Sequence, residues 1–156
     1  MTREVVKCSP DTTLHHVAGL MEDRGCGSVV VTGAEGKVIG MVTDRDICRL
    51  AHQTGRRLVE IPARAAMSHK VHTCRPDVDL SEAQRIMQTH KVRRLPVVDE
   101  FGILLGIIAL DDIAREIVAI EERVVRGDRE AASLGVYASE VGYTLAVVAR
   151  KAEQSS

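Results

Sequence analysis

Aromatic side chains are scarce in this chain of 156 residues, which contains two Tyr, one Phe and no Trp. Proteins that bind single-stranded nucleic acid stack the bases on aromatic rings, so this function is almost excluded. Because 45% of the residues are apolar, the chain has enough material for a hydrophobic core. That core must be built from Val, Ile, Leu, Met and Ala side chains.

An excess of one charge, a long apolar run and paired cysteines are also missing. The 21 Lys and Arg residues and 22 Asp and Glu residues give a formal net charge of -1, which disfavours sequence-independent binding to nucleic acid. No apolar run approaches the ~18 residues of a membrane helix, and the N-terminus lacks the apolar segment of a secretory signal. The four cysteines form no C-x-x-C pair, so a structural zinc site has little support. We therefore expect a cytoplasmic protein with reduced thiols and no bound metal.

The chain contains an internal repeat. When the chain is shifted by 66 residues, its first 49 residues align on the later part without a gap, and 13 of these 49 pairs are identical. The identical pairs include Asp46 with Asp112 and Arg49 with Arg115. Two copies of one structural unit are the simplest explanation.

Each copy has the pattern of a β-α-β-β-α unit. A β-branched run before Pro10 predicts a strand, and apolar residues at helical spacing predict the helix that follows. Two apolar runs joined by a glycine-containing turn predict two strands buried on both faces. The second helix is expected from Asp44 to about Thr54 with Gly55 as its C-cap, and its counterpart in the second copy is expected to reach about Glu130.

These patterns predict an α/β fold of two β-α-β-β-α repeats. We place the first repeat at 1–55, a linker at 56–69 and the second repeat at 70–130. The remaining residues, 131–156, form a C-terminal tail that we expect to be helical. Each repeat alone is too small for an ample core, so the two are expected to pack together.

Thr43 and Asp46 stand where a predicted strand passes into a helix, and two interpretations of them remain open. The T-x-x-D spacing is that of a capping box, in which each side chain satisfies a backbone N–H of the other residue. The same carboxylate could also accept hydrogen bonds from two vicinal hydroxyls of a ribose. In the second copy Ala109 replaces the threonine and cannot cap, although Asp112 is present.

A basic segment, Lys91 to Arg94, precedes a predicted buried strand. It can be the solvated end of a helix, where cations interact favourably with the helix dipole. Alternatively, Arg93 and Arg94 can present guanidinium groups to a phosphate, since they enter a predicted buried strand and at least one of them is expected near the middle of the fold. The first copy has Gly27 and Ser28 at the positions of these arginines.

No set of residues typical of catalysis is found, and we expect a protein that is not an enzyme. The chain has no P-loop, no G-x-G-x-x-G and no nucleophile elbow. Cys8 and Cys74 correspond in the repeat, and we expect them to be small buried thiols.

Several motifs together resemble the tandem cystathionine-β-synthase (CBS) domain pair, the Bateman module. They are V-x-x-x-P-D-x-x-L, L-P-V-V-D-E-x-G and G-x-V-T-D-R-D-I, and the resemblance covers residues 1 to about 120. It implies two repeats packed through their sheets about a pseudo-two-fold axis. It also implies that adenosine-containing ligands bind in clefts between the repeats, with a regulatory rather than catalytic role and frequent dimerisation.

The same resemblance assigns candidate ligand-binding residues. Asp46 is implied as the ribose ligand and Thr43 as a contact to ribose or phosphate. The wall of this cleft is implied to come from the linker and from the entry to the strand of the other repeat: Ile61, Ala66, Val92, Arg93 and Arg94. The corresponding second cleft has Gly27, Ser28, Ala109 and Asp112, and we expect it to be weak or empty.

The function implied is that of a sensor, without a catalytic cofactor, that binds AMP, ADP, ATP, NAD or S-adenosylmethionine. It would signal by a conformational change to an unidentified effector protein and would form a homodimer. One alternative is a module for protein interaction or dimerisation that binds no ligand. A second, less favoured alternative is a metal or redox sensor using Cys8, Cys74 and a histidine such as His72.

Overall fold

A computed structural model describes residues 4–127. The regular elements of this part of the chain are, in order, β1 (Lys7–Cys8), α1 (Leu14–Asp23), β2 (Ser28–Thr32), β3 (Val38–Thr43), α2 (Asp44–Thr54), α3 (Leu80–His90), β4 (Arg94–Val98), β5 (Leu104–Ala109) and α4 (Leu110–Val125). Short 3₁₀ turns occur at Ala34–Gly36, Leu58–Glu60 and Ala63–Ala65. The order confirms the predicted α/β fold: the first copy is β-α-β-β-α, and in the second copy the first strand is reduced to a single bridge at Cys74.

The strand pairing repeats between the two copies. In the three-stranded sheet, β2 is central, parallel to β1 and antiparallel to β3, and Cys8 lies opposite Val31. In the second copy β4 pairs with β5, and Cys74 forms a parallel bridge with Val97. Because Cys8 corresponds to Cys74 and Val31 to Val97, the sequence repeat is also a repeat of structure.

The contacts within the chain divide the described residues into two compact units. The larger unit comprises 4–76 and 96–107, and the smaller unit comprises 77–95 and 108–127. The larger unit has a core of aliphatic and thiol side chains, as the scarcity of aromatic residues requires. Its buried members are Cys8, Leu14, Val17, Met21, Val29, Val31, Val42, Ile47, Ile61, Ala63 and Ala66.

The predicted bounds of α2, from Asp44 to Thr54 with Gly55 as the C-cap, are confirmed, and polar side chains cap the starts of α1 and α3. The Thr13 side chain caps α1 by accepting the His16 N–H, and α2 ends at Gly55 in the left-handed conformation. In the smaller unit Asp79 caps α3 by accepting the Glu82 N–H at 2.8 Å. The tight turn between β2 and β3 contains Glu35 at a φ of 60°.

The two apolar runs joined by a turn in the first copy are β2 and β3. The prediction that both strands are buried on both faces is correct for β2 and wrong for β3. Four of the five residues of β2 are buried, whereas β3 alternates, and Ile39 on it is 36% exposed. The reason is that β2 is the central strand of the sheet and β3 is not. The same alternation occurs in β5.

Two further expectations concern the end of the chain and the membrane. The proposed tail at 131–156 lies outside the described residues. The last helix, α4, ends at Val125 and not near Glu130 as predicted, because Gly127 follows with a φ of 86°, a left-handed conformation that ends helices. Within residues 4–127, no helix has the length and apolar character needed to cross a membrane.

Candidate functional site

The first candidate residues, Thr43 and Asp46, form a complete capping box at the junction of β3 and α2. The Thr43 hydroxyl accepts the Asp46 N–H at 3.2 Å and donates to Asp46 Oδ2 at 2.6 Å. The Thr43 N–H donates to the same oxygen at 3.1 Å. The capping interpretation of this pair is therefore confirmed. The proposed contact with a ribose remains a prediction.

Arg49 is a third member of this cluster that the sequence analysis did not include in the site. Its Nη2 donates to Asp46 Oδ1 at 3.0 Å, with the Asp46 side chain 23% exposed and the Arg49 side chain 61% exposed. The sequence did contain a signal, since Arg49 lies three residues after Asp46 on one helix face and matches Arg115 in the repeat.

The second copy keeps half of this arrangement. The Ala109 N–H donates to Asp112 Oδ2 at 3.0 Å, so the carboxylate contact of the box survives without the threonine. Arg115 pairs with Asp112 Oδ1 in the same way as Arg49 pairs with Asp46. Burial alone would raise the pKa of Asp112, but the Ala109 N–H and the Arg115 guanidinium together lower the pKa below its usual value.

We expect acid to weaken the fold partly through Asp112. Because its pKa is lower in the folded chain, its stabilising effect is complete above the usual pKa near 4 and is lost as pH falls through the folded value. Urea unfolding at pH 7 and pH 3 should therefore give a smaller difference in the free energy of unfolding for Asp112→Asn than for the wild type. An unchanged difference in the variant would contradict this assignment.

Two residues predicted to line the first cleft belong to the hydrophobic core of the larger unit. Ile61 is 2% exposed and Ala66 is 5% exposed. The Ile61 carbonyl also accepts the Leu14 N–H at 2.8 Å, which ties this segment to the start of α1. The predicted contact of both side chains with a ligand is not tested by this packing, and it remains a prediction.

The basic segment connects α3 to β4. Lys91 is the exposed C-cap of α3 at a φ of 54°, in agreement with a solvated helix end. Arg93 is exposed, Val92 and Arg94 are half-buried, and Arg94 begins β4. The Arg93 carbonyl accepts the Leu110 N–H at 3.0 Å, which places its backbone at the start of α4.

The residues that replace the arginines in the first copy make the equivalent backbone contact. The Gly27 carbonyl accepts the Asp44 N–H at 3.3 Å, and Ser28, which is buried, lies opposite Thr43 in the sheet. Each copy therefore joins its strand entry to its own helix start in the same way. Only the side chains at these positions differ.

The candidate residues of each predicted cleft come from both units. Thr43, Asp46, Ile61 and Ala66 belong to the larger unit, and the segment 92–94 belongs to the smaller one. For the second cleft, the segment 27–28 lies in the larger unit and the segment 109–112 in the smaller one. The structure gives the local geometry where β3 meets α2 and where β5 meets α4. Which residues line each cleft together stays a prediction.

A cavity of about 250 Å³ lies in the larger unit at the opposite end of β3 from Thr43. Its walls are polar and apolar in about equal measure and include Val38 and Val71, with His69 and Thr73 as polar members. None of the predicted ligand-binding residues lines this cavity.

The side chains proposed for a metal or redox sensor gain no support for either role from the described residues. Cys8 and Cys74 are buried, as predicted, and burial raises the pKa of both thiols, an effect that the Thr12 hydroxyl partly offsets at Cys8. Reactive thiols have a lowered pKa and access to solvent. Within residues 4–127, no three side chains of His, Cys, Asp or Glu are grouped so that they could hold a metal ion.

Comparison with known families gives a match over most of the chain. The family model described as the CBS domain matches residues 1–53 and 61–119. The CBS domain-containing protein YhcV of Bacillus subtilis is 37% identical over 114 residues, which are 73% of this chain and 79% of YhcV.

Two solved structures are similar to the chain in fold. Hypoxic Response Protein I, determined with two coordinated zinc ions, has a TM-score of 0.67 and 29% identity, and the match covers 74% of this chain and 92% of that one. The CBS domain pair of protein MJ0100, in complex with 5′-methylthioadenosine and S-adenosyl-L-methionine, has a TM-score of 0.66 and 19% identity, covering 73% and 92%. The second likeness concerns the fold alone.

Proposed function

Because this chain belongs to the CBS-domain family and carries the domain twice, we propose that it is a regulatory module that binds an adenosine-containing ligand. The class comprises AMP, ADP, ATP, NAD and S-adenosylmethionine. The ligand acts as a signal and not as a catalytic cofactor. The MJ0100 domain pair, solved with two adenosine compounds, is consistent with this class.

The observation that carries the proposal is the fixed position of the Asp46 carboxylate. Thr43 holds it at the N-terminus of α2, where it keeps 23% of its surface exposed. A carboxylate is the natural acceptor for the hydroxyls of a ribose, and such charge-assisted hydrogen bonds are stronger than neutral ones. The helix N-terminus beside it favours an anionic group such as a phosphate.

The proposed site is completed by residues named from the family resemblance. Val92, Arg93 and Arg94 supply an apolar contact and guanidinium groups for phosphate, and the segment 61–66 supplies an aliphatic wall for adenine. Arg94 is half-buried, as this role expects, whereas Arg93 is exposed and does not enter the interior. An aliphatic adenine pocket also suits a chain with almost no aromatic side chains.

We propose that the site formed by Gly27, Ser28, Ala109 and Asp112 is weak or empty. The expected difference in affinity between the two sites comes from the missing hydroxyl at Ala109 and the missing cations at the segment 27–28. It does not come from the carboxylate, which both sites have. The expected stoichiometry is one strong site per chain. Two equal sites in a calorimetric titration would contradict the proposal.

Signalling would follow from ligand binding that favours one conformation of the module over another. A ligand shifts such an equilibrium only by its difference in affinity for the two conformations. The receiver of the signal is a separate effector protein or a second copy of the chain, since we also propose a homodimer.

A panel of thermal melts tests the proposal. At about 100 times its dissociation constant, a ligand adds about 2.7 kcal/mol to stability, which raises the melting temperature by roughly 5–10 °C. We expect this rise with at least one of AMP, ADP, ATP, NAD and S-adenosylmethionine, and none with GMP or GTP as base controls. If none of the adenosine compounds raises the melting temperature, the module that binds proteins without a ligand becomes the better explanation.

One observation favours a metal-linked function, namely the two zinc ions in Hypoxic Response Protein I. The described part of the chain offers no group of three ligating side chains, so we give this candidate second place. Melts with Zn²⁺ and with EDTA belong in the same panel. A rise with Zn²⁺ that EDTA reverses, without any response to adenosine compounds, would reverse the order of the two candidates.

A further inference from the structure

The Asp46 carboxylate is already engaged on both of its oxygens. Oδ2 accepts from the Thr43 N–H and from the Thr43 hydroxyl, and Oδ1 accepts from Arg49. An ionised carboxylate offers about four acceptor positions in all. The part of the chain that the structure describes therefore occupies three of them and leaves about one, on Oδ1.

A ribose presents two vicinal hydroxyls, and a carboxylate that binds both must accept two hydrogen bonds. The Thr43 contacts belong to the capping box that starts α2, so they are costly to give up. The Arg49 contact is different, because the arginine side chain is 61% exposed and its ion pair is of the exposed kind that contributes little to stability. Arg49 is thus the partner that a diol can displace at least cost.

We propose that Arg49 competes with the ribose for Asp46 and is released when a ligand with two ribose hydroxyls binds. This inference rests on the proposed function, because it assigns Asp46 to the ribose. Arg49 is then a positioning residue that lowers the preference of the site for a ribose over a deoxyribose. A 2′-deoxy ligand needs only the one free acceptor position and leaves the ion pair intact.

The second copy provides a built-in comparison. Within residues 4–127, Asp112 accepts from the Ala109 N–H and from Arg115, which leaves about two of its four acceptor positions. A diol could bind there without displacing Arg115. The replacement of Arg115 should therefore leave the preference for ribose unchanged at either carboxylate.

The test compares AMP with 2′-deoxy-AMP and ATP with 2′-deoxy-ATP by isothermal titration calorimetry. The variants are Arg49→Met and the matched control Arg115→Met, since methionine keeps an unbranched apolar stem and a helix propensity close to that of arginine, without any donor. Within each pair the phosphates are the same, so the lost positive charge cancels from the ratio of dissociation constants. We expect the ratio of deoxy to ribo form to rise about two- to fivefold in Arg49→Met and to stay constant in Arg115→Met.

The outcomes separate this inference from the function on which it rests. If both AMP and ATP fail to bind the wild-type chain, the proposed function and the inference are wrong together for these nucleotides. If a nucleotide binds and the ratio in Arg49→Met equals that of the wild type, the site stands and the competition by Arg49 is refuted. An equal rise in Arg115→Met would likewise refute it, because the effect would then not depend on Asp46.

Discussion

Replacing Asp46 by alanine is expected to weaken the binding of an adenosine nucleotide by roughly 10- to 100-fold. The ribose hydroxyls would lose a charged acceptor, and a hydrogen bond to a charged group contributes about 1.5–3 kcal/mol, where 1.4 kcal/mol corresponds to a factor of ten. Isothermal titration calorimetry with the nucleotide that gives the largest rise in melting temperature measures the change. The heat and the stoichiometry come from the same titration.

The substitution also removes half of a helix cap, so a control must separate binding from stability. Asp112→Ala provides it, because that change removes the equivalent contacts to a backbone N–H and to an arginine in the other repeat. Each variant should lose about 0.5–2 kcal/mol of stability, the usual range for a lost cap, while only Asp46→Ala loses affinity. Equal losses of affinity in the two variants would refute the assignment of the ribose to Asp46.

The starts of α1, α2 and α3 and the end of α2 are predictable from the sequence because they depend on single capping residues. Thr13, Thr43 and Asp79 each carry a side-chain oxygen that can accept a backbone N–H, and each is found at the start of a helix. Gly55 ends α2 because glycine adopts the left-handed conformation without strain. Such signals are local, so they can be recognised without knowledge of the rest of the molecule.

Burial of the strands depends on neighbours that the sequence does not identify. The apolar runs of β2 and β3 are similar in composition, yet β2 lies between two strands and β3 has a half-exposed face. Ile39 is as apolar as its buried neighbours in β2 and is 36% exposed. Composition predicts that a segment is a strand, and its position in the sheet decides how much of it is buried.

The candidate site divides in the same way into local and non-local parts. The capping box of Thr43 and Asp46 follows from spacing along one turn and is found as predicted. The competition between Arg49 and a ribose depends on how many acceptor positions the Asp46 carboxylate retains, and that number requires atomic positions. The burial of Ile61 depends on α1, which lies more than thirty residues earlier in the chain, and no local pattern indicates it.

Ile61 is expected to be essential to the core, and its replacement by alanine should lower the free energy of unfolding by about 2–5 kcal/mol. Its side chain is 2% exposed and packs in the same cluster as Leu14 and Val17, so the shortened side chain leaves a cavity. Val59→Ala is the matched control, because Val59 lies in the same segment and is 48% exposed. That variant should stay within about 0.5 kcal/mol of the wild type in urea unfolding.

Measured for both stability and nucleotide affinity, Ile61→Ala and Val59→Ala show whether the Ile61 side chain packs in the core or contacts a ligand. If the side chain acts through the core, the stability falls as expected and the remaining folded molecules bind the nucleotide with nearly unchanged affinity. If it lines the adenine pocket, affinity falls in conditions where the variant is fully folded. A loss of less than about 1 kcal/mol in stability together with a large loss of affinity would contradict the core assignment, because a fully buried isoleucine cannot be shortened at so little cost.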